Sequence, residues 1–84
     1  MSSALHGLAG AHEARGEYEQ AQACARRQLE LEPWDEGAHR QLMRALALGG
    51  RRGAALAQYQ TCRRLLAVEL DVEPARETTA LYES

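Results

Sequence analysis

Gly16-Glu17-Tyr18-Glu19-Gln20-Ala21-Gln22-Ala23 falls, 34 residues later, on Gly50-Arg51-Arg52-Gly53-Ala54-Ala55-Leu56-Ala57, with identities at Gly16/Gly50, Ala21/Ala55 and Ala23/Ala57. Upstream, the same offset aligns Ala4/Ala38, Leu8/Leu42 and Ala11/Ala45. A period of this length fits one helix-turn-helix unit, in which alanines let paired helices approach and a glycine makes the turn between them. The echo predicts a binding scaffold before it predicts a catalyst.

Around this core of identities the apolar spacing predicts five helices. The first runs from a Ser2 or Ser3 cap to Arg15, with Leu5, Leu8 and Ala11 on one face, and Gly16 ends it. The second, Glu17 to about Leu31, turns Tyr18, Ala21, Ala25 and Leu29 inward and stops before Pro33. Asp35 caps the third, which carries Ala38, Leu42, Ala45 and Leu46 to the Gly49-Gly50 break. The fourth, about Arg51 to Glu69, repeats Ala55, Tyr59, Cys62 and Leu66 at i, i+4, i+7 and i+11, with Leu56 and Leu65 widening the stripe. The echo of Pro33 would fall at Ala67, but the next proline is Pro74, so the fourth helix is longer than the second. Pro74 then suits the first turn of a short fifth helix to about Glu83, carrying Leu81 and Tyr82.

The expected architecture is therefore all-α, a tetratricopeptide-like α-α superhelix of two helix-turn-helix units with a C-terminal capping helix. Residues 1–84 form one domain fragment, with unit one over about 2–34, unit two over about 35–69 and the cap over about 74–83. A core of this size supplies only about 3–5 kcal/mol net, and stacked units of this kind need neighbours to cover their apolar edges. A homodimer is the expected remedy.

The net charge of −2 hides a block pattern. Residues 1–36 carry −4, residues 69–84 carry −4, and the acid-free stretch 37–68 carries +6 through Arg40, Arg44, Arg51, Arg52, Arg63 and Arg64. Such blocks pair within a fold or between copies, or offer a basic face to a partner. No apolar run approaches the roughly 18 residues of a membrane span and no charged n-region leads an apolar h-region, so a cytoplasmic, membrane-free location is expected. Cys24 and Cys62 stand 38 positions apart without metal-ligand spacing, and are read as small buried thiols rather than a disulfide.

Gly16-Glu17-Tyr18, Ala21 and Leu29-Glu30-Leu31-Glu32-Pro33 resemble the tetratricopeptide repeat. A narrower family covers nearly the whole chain. Arg26-Arg27-Gln28-Leu29, Glu32-Pro33-Trp34-Asp35-Glu36-Gly37-Ala38-His39-Arg40, Ala54-Ala55-Leu56-Ala57-Gln58-Tyr59 and Glu69-Leu70-Asp71-Val72-Glu73-Pro74 resemble the bacterial transcriptional activator domain, the repeat-like module of antibiotic-regulatory activators. The last block is the most specific, since ordinary repeats lack it. That resemblance implies a regulatory interaction module that follows a winged-helix DNA-binding domain, and it implies further helices upstream of this stretch. One departure is visible: Asp71 stands where that family usually has glycine, so a positive φ there would carry a cost.

Repeat scaffolds line their groove with the first helix of each unit, which nominates His6 and Glu13 in unit one and Arg40 and Arg44 in unit two. The two guanidiniums, one turn apart, could clamp a carboxylate or phosphate of a protein or peptide partner, an acidic one included. The plainer alternative is a solvated face or pairing with Asp35 and Glu36. Trp34, at the corner between units, is either a packing residue over the junction or an exposed anchor for a partner. His6, His12 and His39 lack metal-ligand spacing, and no metal or other cofactor is expected. Nothing in the chain matches a nucleophile elbow, a phosphate-cradling loop or an HExxH helix, so no catalytic residues are assigned.

The sequence thus predicts a non-catalytic protein-interaction and self-association module of a transcriptional regulator. Two other readings stay open: nucleic-acid-phosphate binding through the 37–68 basic block, and a generic repeat adaptor with no transcriptional role. Net acidity, the single nearby aromatic Tyr59 and the lack of a recognition motif weigh against direct DNA contact.

Overall fold

The computed structural model describes residues 10–83. Residues 10–14 are helical (α1) and are followed by α2 (Tyr18–Leu31), α3 (Glu36–Leu48), α4 (Arg52–Glu69) and α5 (Arg76–Glu83). There is no strand among the described residues. The N-terminal cap, Leu5, Leu8 and His6 lie outside them.

Short connections make successive helices antiparallel neighbours. α2 packs on α3, α3 on α4, and α5 touches both α3 and α4. Ala25, Leu42, Leu46 and Ala55 form the central cluster, with Leu29 and Ala54 packed against it. The alanines sit where helices meet and let their backbones close up. The stripe Ala55, Tyr59, Cys62 and Leu66 makes up the buried set of α4. Leu56, expected to widen that stripe, is instead largely exposed.

The 34-residue echo is carried by hydrogen bonds. At the end of α1, Glu17 N–H donates to His12 O and Gly16 N–H to Glu13 O; at the end of α3, Arg51 N–H donates to Leu46 O and Gly50 N–H to Ala47 O. Each pair is a Schellman closure, which needs a left-handed residue at the turn. Gly16 and Gly50 supply it, at φ 76° and 83°.

At the end of α4 the same left-handed position is taken by Asp71, at φ 54°, the one non-glycine residue with positive φ among those described. Aspartate tolerates this region better than most residues, but less well than glycine. Asp71→Gly is expected to stabilise the chain by about 0.5–1 kcal/mol, the relief of that penalty less the extra entropy of glycine in the unfolded chain. Urea denaturation of the two chains side by side, with unchanged m-value, would show it.

The fifth helix starts two residues later than the sequence suggests. Thr79 N–H donates to Ala75 O, so Ala75 is the first capping residue and Pro74 precedes it. Pro74 ends the connecting segment instead of opening the helix. The reason is that another residue, from α3, satisfies the helix start.

Candidate functional site

That residue is Glu36. Its Oε2 accepts from the Ala75 N–H at 2.7 Å and from the Thr78 hydroxyl at 2.8 Å. Helix starts expose N–H groups and partial positive charge, so a carboxylate there is stabilising. Glu36 also lies in the first turn of α3, so one side chain serves two helix N-termini. Thr78 is fully buried and in turn accepts from Arg40 Nη1 at 2.9 Å. Tyr82, one turn further, stacks on Tyr59 with ring centroids 4.0 Å apart. These contacts clamp α5 over the second pair of helices.

The guanidiniums of Arg40 and Arg44 have separate partners inside the fold. Arg44 Nε reaches Glu13, with its two carboxylate oxygens at 3.4 and 3.3 Å. Glu13 and Arg44 therefore meet as an ion pair, whereas Arg40 belongs to the α5 clamp. Arg63 approaches Glu73 at 4.0 Å with both side chains exposed. Three of the six arginines of the basic block thus face partners within the chain.

The corner between α2 and α3 is organised by Gln28, which hydrophobic periodicity does not mark. It is buried, and its Nε2 donates to Glu32 Oε1 at 2.8 Å and Asp35 Oδ2 at 3.1 Å. Asp35 Oδ1 accepts from the Ala38 N–H at 3.2 Å, the side-chain cap expected of it. Trp34 is left 49% exposed on this corner, beside an exposed Leu31.

His39 is buried with both ring nitrogens engaged. Nε2 lies 2.8 Å from the Pro33 carbonyl, which can only accept, so Nε2 carries the proton. Nδ1 then accepts from Gln58 Nε2 at 2.9 Å. Burial holds the imidazole below its ordinary value of 6.5, against the raising effects of the Pro33 carbonyl, Asp35 and Glu36. A second proton would place N–H against N–H at Gln58. A buried neutral histidine makes the unfolded chain the better proton acceptor, so stability is full above about pH 6.5 and falls as pH drops through that value toward the lower folded one. We expect a lower thermal midpoint at pH 5.5 than at pH 7.5, and a shallower dependence in His39→Gln.

Cys62 is buried beneath α5, and burial together with Glu36 pushes its thiol up to about 11 against the opposing effect of Arg40. It stays protonated at neutral pH and is a poor nucleophile. Both cysteines are free. No group of three or more His, Cys, Asp or Glu among the described residues is placed to hold a metal ion. No helix among them is long and apolar enough to cross a membrane.

A cleft of about 400 Å³ opens at the junction of α3, α4 and the last turn of α5. Met43, Leu48, Leu56 and Tyr82 form its apolar lining, and Arg44 and Arg52 bring positive charge to it. Leu48 and Leu56 lie at its exposed edge. Sequence reading missed it because α5 is needed to make its wall. A larger and more open hollow, of about 740 Å³, lies beside the two glycine turns, between Glu17, Tyr18, Gln22, Gly49 and Arg51, and its lining mixes polar and apolar surface.

The family model described as bacterial transcriptional activator domain matches residues 2–84. No curated protein and no solved structure matches.

Proposed function

The chain belongs to the bacterial transcriptional activator domain family, and from that membership we propose that it is a non-catalytic module through which a cytoplasmic transcriptional regulator binds protein and associates with itself. The observation that carries this reading is the distribution of exposed apolar side chains. Leu31, Trp34, Leu48, Leu56, Val68, Leu70 and Val72 are 39% to 75% exposed. Three groups of exposed apolar side chains, at the α2–α3 corner, beside the start of α4 and beyond its end, each offer apolar area to another macromolecule. A half-exposed tryptophan on a corner is a suitable anchor. The Arg-edged cleft favours a partner segment that combines apolar and acidic residues.

Sedimentation of the full chain at micromolar concentrations tests self-association directly: a dimer is expected, and a stable monomer would refute that part. Mobility shift with duplex DNA at two salt concentrations tests the nucleic-acid alternative. Weak binding is expected, and tight, steeply salt-dependent binding would replace the protein-interaction reading.

A further inference from the structure

Two surfaces of this chain complement one another. At the start of α4, the cleft has an apolar floor of Met43 and Ala55, with Leu56 at its edge, and carries Arg44 and Arg52. At the end of α4, Val68, Leu70 and Val72 are 75%, 50% and 46% exposed. They alternate with the exposed acids Glu69, Asp71 and Glu73. Glu13 already holds Arg44, so Arg52 is the charge offered outward, and apolar side chains interleaved with carboxylates are the chemistry that an apolar cleft with a guanidinium at its edge selects.

We propose that the cleft receives the 68–73 segment of a second copy of this chain. The contact rests on the self-association reading above and specifies its interface. α4 has 18 residues, so its ends stand about 27 Å apart at 1.5 Å per residue. Glu73 lies against Arg63, which helical periodicity puts on the same side of α4 as Arg52 and Leu56, so two copies with their α4 helices antiparallel bring each 68–73 segment to the other's cleft at the same time. The two contacts are related by a two-fold axis, so the interface is isologous, closes the pair and leaves neither cleft open. Arg52 of each copy then faces the acids of the other, and acids from the −4 stretch 69–84 meet an arginine from the +6 stretch 37–68.

The test is a charge exchange in the full chain followed by sedimentation. Arg52→Glu alone and Glu69→Arg alone are each expected to weaken the dimer by about tenfold or more, through like charges brought together in the contact. An equimolar mixture of the two variants is expected to dimerise as the unmodified chain does. In that mixed pair one contact carries the exchanged charges and the other is unaltered. Unchanged helical circular dichroism in both variants shows that the fold is intact. If the unmodified chain dimerises and either variant still does so with full affinity, or the mixture stays monomeric, this interface is wrong while self-association stands. If the unmodified chain is monomeric, both fail.

Discussion

Glu36→Ala is expected to lower the stability of the chain by about 3 kcal/mol and to release α5 from the other helices. Glu36 accepts two hydrogen bonds, from the Ala75 N–H and the Thr78 hydroxyl, and the threonine is fully buried. Hydrogen bonds to a charged acceptor contribute about 1.5–3 kcal/mol, and stranding their buried donors costs as much again in lost solvation. A core of this size has roughly 3–5 kcal/mol in hand. Near-ultraviolet circular dichroism should therefore lose the signal of the stacked Tyr59 and Tyr82 rings before the helical signal collapses. Glu36→Gln keeps an acceptor oxygen but not its charge, so an intermediate loss is expected. A variant as stable as the unmodified chain would mean that α5 is held by apolar contact alone.

Leu46→Ala is expected to cost about 3 kcal/mol or more, enough to leave a large unfolded fraction at 37 °C. Leu46 is among the largest fully buried side chains and joins α2, α3 and α4 in the central cluster. Truncating a buried leucine loses its transfer free energy and leaves a void, for a total of about 2–5 kcal/mol. The control is two residues away. Leu48 is 55% exposed, and Leu48→Ala is expected to stay within about 0.5 kcal/mol. Urea denaturation of the pair separates them, and equal losses would mean that the cluster does not centre on Leu46.

Elements written as apolar periodicity are legible in the sequence. The buried stripe of α4, the cap at Asp35, the breaks at Gly16 and Gly50 and the extended fourth helix all follow from spacing, and the structure contains each. Asp71 was also readable, because a family position that favours glycine implies the left-handed backbone found there. What escapes is polar and distant. The partners Glu36 and Thr78 are 42 positions apart, and no local pattern marks a threonine as the buried residue of a helix whose visible apolar content is Leu81 and Tyr82. The same limit explains the arginines. Helical spacing placed Arg40 and Arg44 together, but their guanidiniums were assigned by Thr78 and Glu13, which lie on other helices. The cleft needed three helices to exist, so only its arginines were visible beforehand.

The paired Schellman turns have an implication for how the chain can change length. Residues 17 to 50 begin just after one such turn and end within the other, with the same backbone donors and acceptors displaced by 34 positions. A cassette cut at these points, duplicated or exchanged, would enter and leave the helical stack with matched backbone direction. The exit from α4 offers no such joint, since Val72 N–H reaches back to Leu66 O across one more residue and the turning residue is Asp71. Modularity in this scaffold therefore runs from glycine to glycine, and the segment beyond α4 is where that modularity stops.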